Sequence, residues 1–322
     1  MRAVRFAVLL LGLVGGSLPA FAAENFPTRP IKFVVGFLAG GPNDTIARIF
    51  CDWLQPHLGA PCVVENKVGQ GGMIAAKAVI DSPPDGYTFM FVAPNNAIGQ
   101  SLYKNLPFNH VRDTTPIASI MQLANIMVVP PSLPVKTVAE FIAYGKANPG
   151  KLSYGSFGIG TSAHIFGDVF AKNTGLELTH VPYRGSADLS ADLQENRIQM
   201  AFDAAPSAIN NAKSGKVKIF AVAAPSRWPF LPDAPTFAEQ GVKDIDIVSF
   251  LGWYGPAGMN PEVVRRLNAA LVTSIAQQSV KDNYALGAYT AESSTPQDLA
   301  MYTRQAYDAW GALVKRAGIA KQ

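Results

Sequence analysis

The chain has 322 residues, 48% hydrophobic and 16% charged, with a formal net charge of +4 at pH 7. That is enough apolar material for one large or two ordinary globular domains, and it excludes a disordered or fibrous chain. Without basic runs or aromatic–basic interleaving, no nucleic acid partner is expected.

The first 22 residues read as a cleavable signal peptide. Arg2 and Arg5 precede a short apolar run at 6–14, and Ala20-Phe21-Ala22 fits a small-x-small cleavage site. A mature chain starting near Ala23 would be periplasmic, with its formal charge reduced to +2 by loss of the two arginines. No later segment approaches about 18 uninterrupted apolar residues, the span of a membrane helix. Cys51 and Cys62 both lie well inside the chain, so a free protein is expected rather than a lipoprotein. In an oxidising compartment this pair invites a disulfide, the alternative being two small buried apolar residues.

In chain order, a strand at 31–35 runs into Gly36-Phe37-Leu38-Ala39-Gly40-Gly41-Pro42-Asn43-Asp44, which opens a helix with Ile46, Ile49, Phe50, Trp53 and Leu54 on one face. A strand at 62–65, a glycine turn at 67–72, a helix at 73–80 and a buried-strand pattern at 87–93 follow, the β-α-β-α-β order of a helix-covered parallel sheet. An apolar run at 124–129 ends at Pro130-Pro131. A second alternation then begins: helix 138–147, strand 152–154, a second glycine loop, helix 163–172, strand 178–183, helix 187–194, strand 198–202, helix 207–213 and strand 217–223. After the proline-rich stretch 225–235 and a strand-like segment at 245–254, the remainder reads as helices at 261–277, 281–286 and 296–316. The pattern predicts a mixed, mainly parallel α/β architecture. One domain takes 23–124 and 250–322 and the other 125–249. Segments 124–129 and 247–253 would form a two-stranded hinge, with the helical tail packed back on the first domain.

The two glycine loops are built alike. Gly155-Ser156-Phe157-Gly158-Ile159-Gly160-Thr161-Ser162 also joins a strand to a helix N-terminus. Such turns leave backbone N–H groups free in front of a positive helix end, so two of them suggest two walls of an anion site. Asp44 either caps its helix or accepts a hydrogen bond from a ligand amino group or an ordered water. Thr161 and Ser162 serve either as N-caps or as carboxylate donors. His164 is an interior histidine or a cleft residue. Tyr183-Arg184-Gly185 ends a strand, where open α/β sheets place ligands. Tyr183 would wall the cleft, and Arg184 would face it or remain a surface charge. Asp203 faces the cleft or caps the next helix.

No catalytic set accompanies these loops. The histidines at 57, 110, 164 and 180 lack metal-ligand spacing, and there is no Gly-x-Ser-x-Gly elbow. The second loop has neither dinucleotide spacing nor a following Lys-Ser/Thr, so no cofactor or metal is expected. A hydrolase using Ser156 or Thr161 with His164 is the enzymatic rival.

Further motifs extend the pattern: Val64-Glu65-Asn66-Lys67-x-Gly69-x-Gly71-Gly72, Pro83-Pro84-Asp85-Gly86-Tyr87-Thr88, Asn148-Pro149-Gly150-Lys151-Leu152-x-Tyr154-Gly155-Ser156, Gly160-Thr161-x-x-His164, Val181-Pro182-Tyr183-Arg184-Gly185 and Leu231-Pro232-Asp233-Ala234-Pro235-Thr236. Together with the first loop, and in this order, they resemble the Bug family, the extracytoplasmic solute receptors of tripartite tricarboxylate transporters. The resemblance implies a two-domain periplasmic-binding-protein clamshell. It also implies capture of a small carboxylate by a monomer, for transporter membrane subunits or, alternatively, a sensor kinase. Carried over, the site comprises Phe37, Ala39, Gly40, Gly41, Asn43, Asp44, Ser156, Gly158, Gly160, Thr161, Ser162, His164, Tyr183, Arg184, Gly185 and Asp203. The chain departs from the family pattern at Leu38, Phe157 and Glu195-Asn196.

Overall fold

The computed structural model describes residues 26–40, 42–183, 186–319 and 321. The expected signal peptide, and Gly41, Arg184 and Gly185 of the expected site, lie outside the described residues. The chain begins with β1 (Ile31–Val35), α1 (Pro42–Leu58), β2 (Cys62–Asn66), α2 (Met73–Ile80), β3 (Thr88–Val92), α3 (Pro94–Leu102), α4 (His110–Asp113) and β4 (Thr114–Leu123). It continues with β5 (Asn125–Val129), α5 (Val138–Ala147), β6 (Leu152–Ser156), α6 (Ser162–Thr174), β7 (Leu178–Pro182), α7 (Ser186–Gln194), β8 (Met200–Ala204), α8 (Ala205–Lys213) and β9 (Lys218–Ala223). The last part contains β10 (Ser249–Pro256), α9 (Pro261–Ala276), α10 (Gln278–Leu286), β11 (Thr290–Ala291) and α11 (Pro296–Ala317).

The strands form two sheets, ordered β11-β4-β10-β3-β1-β2 and β7-β6-β8-β5-β9. In the first, every strand except β10 and β11 runs in one direction; in the second, every strand except β5 does. The mainly parallel strands are therefore interrupted by one reversed strand inside each sheet. β1 buries Ile31, Phe33, Val34 and Val35, and β5 is buried at all five positions, the near-continuous apolar runs of strands covered on both faces.

Local chemistry sets the helix ends. Thr161 and Thr295 accept the N–H groups of His164 and Asp298 at the starts of α6 and α11, while left-handed Gly175 and Gly318 close those helices. Around the first sheet the core gathers Phe33, Phe50, Phe89, Trp253 and Tyr284, with the Phe33 and Trp253 rings 4.5 Å apart. The second sheet is covered on one face by Phe166, Phe170 and Phe237, and on the other by Leu189, Leu193 and Ile209.

The chain crosses from the first sheet to the second between Leu123 and Asn125 and returns between Ala223 and Ser249. Segments 124–129 and 247–253 do not pair with each other: β5 lies between β8 and β9, and β10 between β3 and β4. Each strand lies wholly in one sheet, so the two connections of the expected hinge are the single-residue crossing at Ala124 and the longer return at 224–248. The tail packs back on the first unit as expected and also reaches the second. α9 packs on α1 and β4, but α11 contacts both α3 and α6. Its Trp310, Leu313 and Val314 enter the core of the second sheet, where Trp310 and Phe166 have ring centroids 5.1 Å apart.

Candidate functional site

Both glycine loops rise from C-terminal strand ends, which is also the edge at which the chain crosses: Leu123 pairs with Ser249 and Asn125 with Ala204. The first loop depends on close backbone approach. A β-carbon at Gly36 would lie 2.5 Å from Gly72 Cα, so no side chain fits there. Asp44 is buried within α1 and is engaged by the loop itself. Its carboxylate accepts the Gly40 N–H at 2.9 Å, Arg48 Nε at 2.9 Å and Nη2 at 3.0 Å, and Asn66 Nδ2 at 2.9 Å. The hydrogen-bonded Arg48 guanidinium is the main cause of its carboxyl being held down to about 2. Asn66 Nδ2 also donates to the Phe37 carbonyl at 3.0 Å. Ala39 and Gly40 remain exposed, and Leu38 is 72% exposed at the tip. Phe37 and Asn43 line a cavity of about 30 Å³ with Gly72, Ala93 and Asn96, large enough for a water molecule.

The second loop rests on a buried polar stack. Ser156 Oγ lies 2.6 Å from His180 Nε2 and accepts the Gly158 N–H at 3.0 Å. The His180 ring stacks on Tyr154 and lies 4.3 Å from the His164 ring, while His164 Nε2 is 3.3 Å from Asp168. Burial lowers both histidines, His180 to about 4, and Asp168 only partly offsets it at His164. Both rings are therefore neutral at pH 7. Ser156 is fully buried, with its hydroxyl engaged by this stack. Thr161 donates to the Gly158 carbonyl at 2.8 Å and caps α6. Gly160 Cα has a φ of 82°, and a β-carbon there would lie 3.0 Å from Leu102 Cδ2, so the loop lies against α3. Ile159 is 51% exposed beside it.

Other expected residues occupy more enclosed places. Tyr183 turns back to donate to Asp192 Oδ2 at 2.7 Å. Asp203 is buried at the end of β8, where its carboxylate accepts the Ala204 N–H at 2.9 Å. Ser162 Oγ donates to Asn125 Oδ1 at 3.3 Å. Among the described residues, no group of three His, Cys, Asp or Glu is placed to hold a metal ion.

Sequence reasoning gave no role to Asn66, Arg48, His180 or Asn125. Asn66 stands in the Glu65-Asn66-Lys67 motif and Arg48 one turn after Asp44, which were the available signals. His180 and Asn125 carried none, because strand pairing brings them to the loops. Cys51 and Cys62 form a disulfide joining α1 to β2.

Comparison with known proteins places this geometry. Residues 46–319 match the family model TctC, described as the tripartite tricarboxylate transporter family receptor. A protein from the tcbD–tcbE intergenic region of Pseudomonas sp. (strain P51) is 33% identical over 310 residues, covering 96% of this chain and 92% of the relative. The structure of R. palustris Rpa4515 with adipate superposes with a TM-score of 0.84 at 33% identity, over 92% of this chain and 99% of that one. The structure of the periplasmic binding protein BugD gives 0.81 at 31% identity, over 92% and 100%. The chain thus has the clamshell fold and is a member of the tripartite tricarboxylate transporter receptor family.

Proposed function

We propose that this protein is a periplasmic receptor that captures a small carboxylate between two lobes and presents it to the membrane subunits of a tripartite tricarboxylate-type transporter. The lobes would comprise 23–124 with 250–322, and 125–249, after removal of the signal peptide. The observation that carries the proposal is the pair of glycine turns at the crossing edge, one closed by Asp44 and the other by Thr161 at a helix N-terminus. Each sets the positive end of a helix behind a glycine-rich turn, the arrangement that favours an anion. Phe37, Ala39, Gly40 and Asn43 on one side, and Gly158, Gly160, Thr161 and Ser162 on the other, would meet across the ligand. Asp44, Ser156 and His164 hold the loops in shape. A binding function is favoured over hydrolysis because Ser156 is fully buried, out of reach of a substrate carbonyl. The adipate in the Rpa4515 structure supports a carboxylate as the ligand class.

A thermal-shift panel of adipate, malate, citrate, glutamate and benzoate tests this, using mature protein refolded to remove carried-over ligand. A native-state ligand at a hundred times its dissociation constant adds about 2.7 kcal/mol, so one class should raise Tm clearly. Folded protein that none of these carboxylates shifts would overturn the proposal.

A further inference from the structure

We infer that Asn125, at the crossing between the sheets, is a direct carboxylate donor of the ligand site through its side-chain amide. This rests on the receptor function proposed above and adds to it a residue to which neither loop motif points. Asn125 opens β5 immediately after the crossing at Leu123–Ala124, and its backbone lies between Ala204 of β8 and Ala223 of β9. Directly paired residues project to the same sheet face. The side-chain amide is therefore flanked there by two methyl groups, neither of which offers an acceptor. Met127 and Val129, on the same face by strand alternation, pack in the cluster that contains Ile165 and Phe166 of α6.

The amide is half satisfied. Its Oδ1 accepts from the Ser162 hydroxyl at the first residue of α6, while Nδ2 has no hydrogen-bond partner among the described residues although the residue is only 4% exposed. A buried donor without an acceptor is uncommon in a native protein and calls for one. Here it lies beside the positive end of a 13-residue helix and the Gly158–Ser162 turn. These groups lack only a negatively charged acceptor, which a ligand carboxylate supplies. Ser162 orients the amide by holding its oxygen. Because Asn125 follows the crossing by one residue, a ligand bonded to it is gripped where the lobes join.

The test is calorimetric titration of the wild type, Asn125→Ala and Asn125→Asp with whichever of adipate, malate, citrate, glutamate or benzoate binds the wild type. Circular dichroism and the ligand-free Tm report folding. Aspartate preserves the shape but, when ionised, offers no donor and repels the ligand. At pH 7.5 both variants should bind about ten- to a hundredfold more weakly, the loss of one hydrogen bond to a charged group. Toward pH 5 the aspartate variant should recover affinity as its carboxyl takes up a proton, whereas the alanine variant should not. A merely structural asparagine would lower Tm without this pH-dependent difference. Folded variants binding within twofold of the wild type, with no pH trend, overturn the inference and leave the receptor function standing. A wild type that binds no member of the panel overturns both.

Discussion

Asp203 shows what burial does to a single charge. It is 2% exposed, and the loss of hydration pushes its carboxyl up to about 6 despite hydrogen bonds from Ser207 and the Ala204 N–H. The native state therefore holds the proton more tightly than the unfolded chain, whose ordinary value is 3.8. Stability from this group is greatest below about 4 and is lost as pH rises through about 6. The difference corresponds to about 3 kcal/mol at pH 7 and above. Asn at this position keeps the shape and removes the charge. The Asp203→Asn variant should accordingly be more stable than the wild type at pH 7.5, by up to about 3 kcal/mol, and nearly equal to it at pH 4. Urea unfolding at the two pH values measures this, and equal differences at both would show that the Asp203 carboxyl does not resist ionisation. Asp44 is the opposite case: the sequence marked it as cap or ligand group, and its carboxylate is held by Gly40 of the loop, Arg48 of α1 and Asn66 of β2.

At the scale of elements, the glycine turns were legible because strand, turn and helix follow one another in the chain. The Cys51–Cys62 bridge adds a covalent tie between α1, which begins at the first loop, and edge strand β2. Closing a loop of that length restricts the unfolded chain by about 3 kcal/mol in a chain-entropy account. The double serine variant should lose about that much in denaturant unfolding, and reductant should destabilise the wild type but not the variant. A loss below about 1 kcal/mol would mean that packing of Phe50 and Leu54 already holds α1. By contrast, α3, α4 and β4 were absent from the sequence reading. β4 mixes Thr114, Thr115, Ser119 and Gln122 with its apolar residues and shows no alternation, since residues 117–121 are all buried, and α3 starts with Pro94 and Asn95 rather than a strong amphipathic pattern. What orders α3 is the bond that the Ala93 N–H donates to Asn96 Oδ1 at 3.0 Å, and packing against α11.

Across the whole molecule, α11 ties the two sheets together. Its early turns bury Leu299 and Thr303 near Tyr254 of β10, and its later turns bury Trp310, Leu313 and Val314 with Phe166 of α6. Lys172 of α6 donates to the Arg316 carbonyl at 2.8 Å and strengthens the second attachment. Replacing Trp310 by alanine should cost about 3–5 kcal/mol, the range for a fully buried large aromatic. Urea unfolding followed by far-ultraviolet circular dichroism measures it. A loss below about 1 kcal/mol would show that α11 rests on the second sheet without holding it.

Local sequence determined most of the strands, the two glycine turns with their helix starts, and the repeated α/β alternation, because apolar runs, glycines and capping residues act on neighbours in the chain. The tertiary structure alone decided which strands reverse inside each sheet, that α11 spans both, and that His180 and Asn125 lie beneath the second loop. Those outcomes depend on strand pairing and shared burial between residues tens of positions apart, and no local pattern encodes the partner.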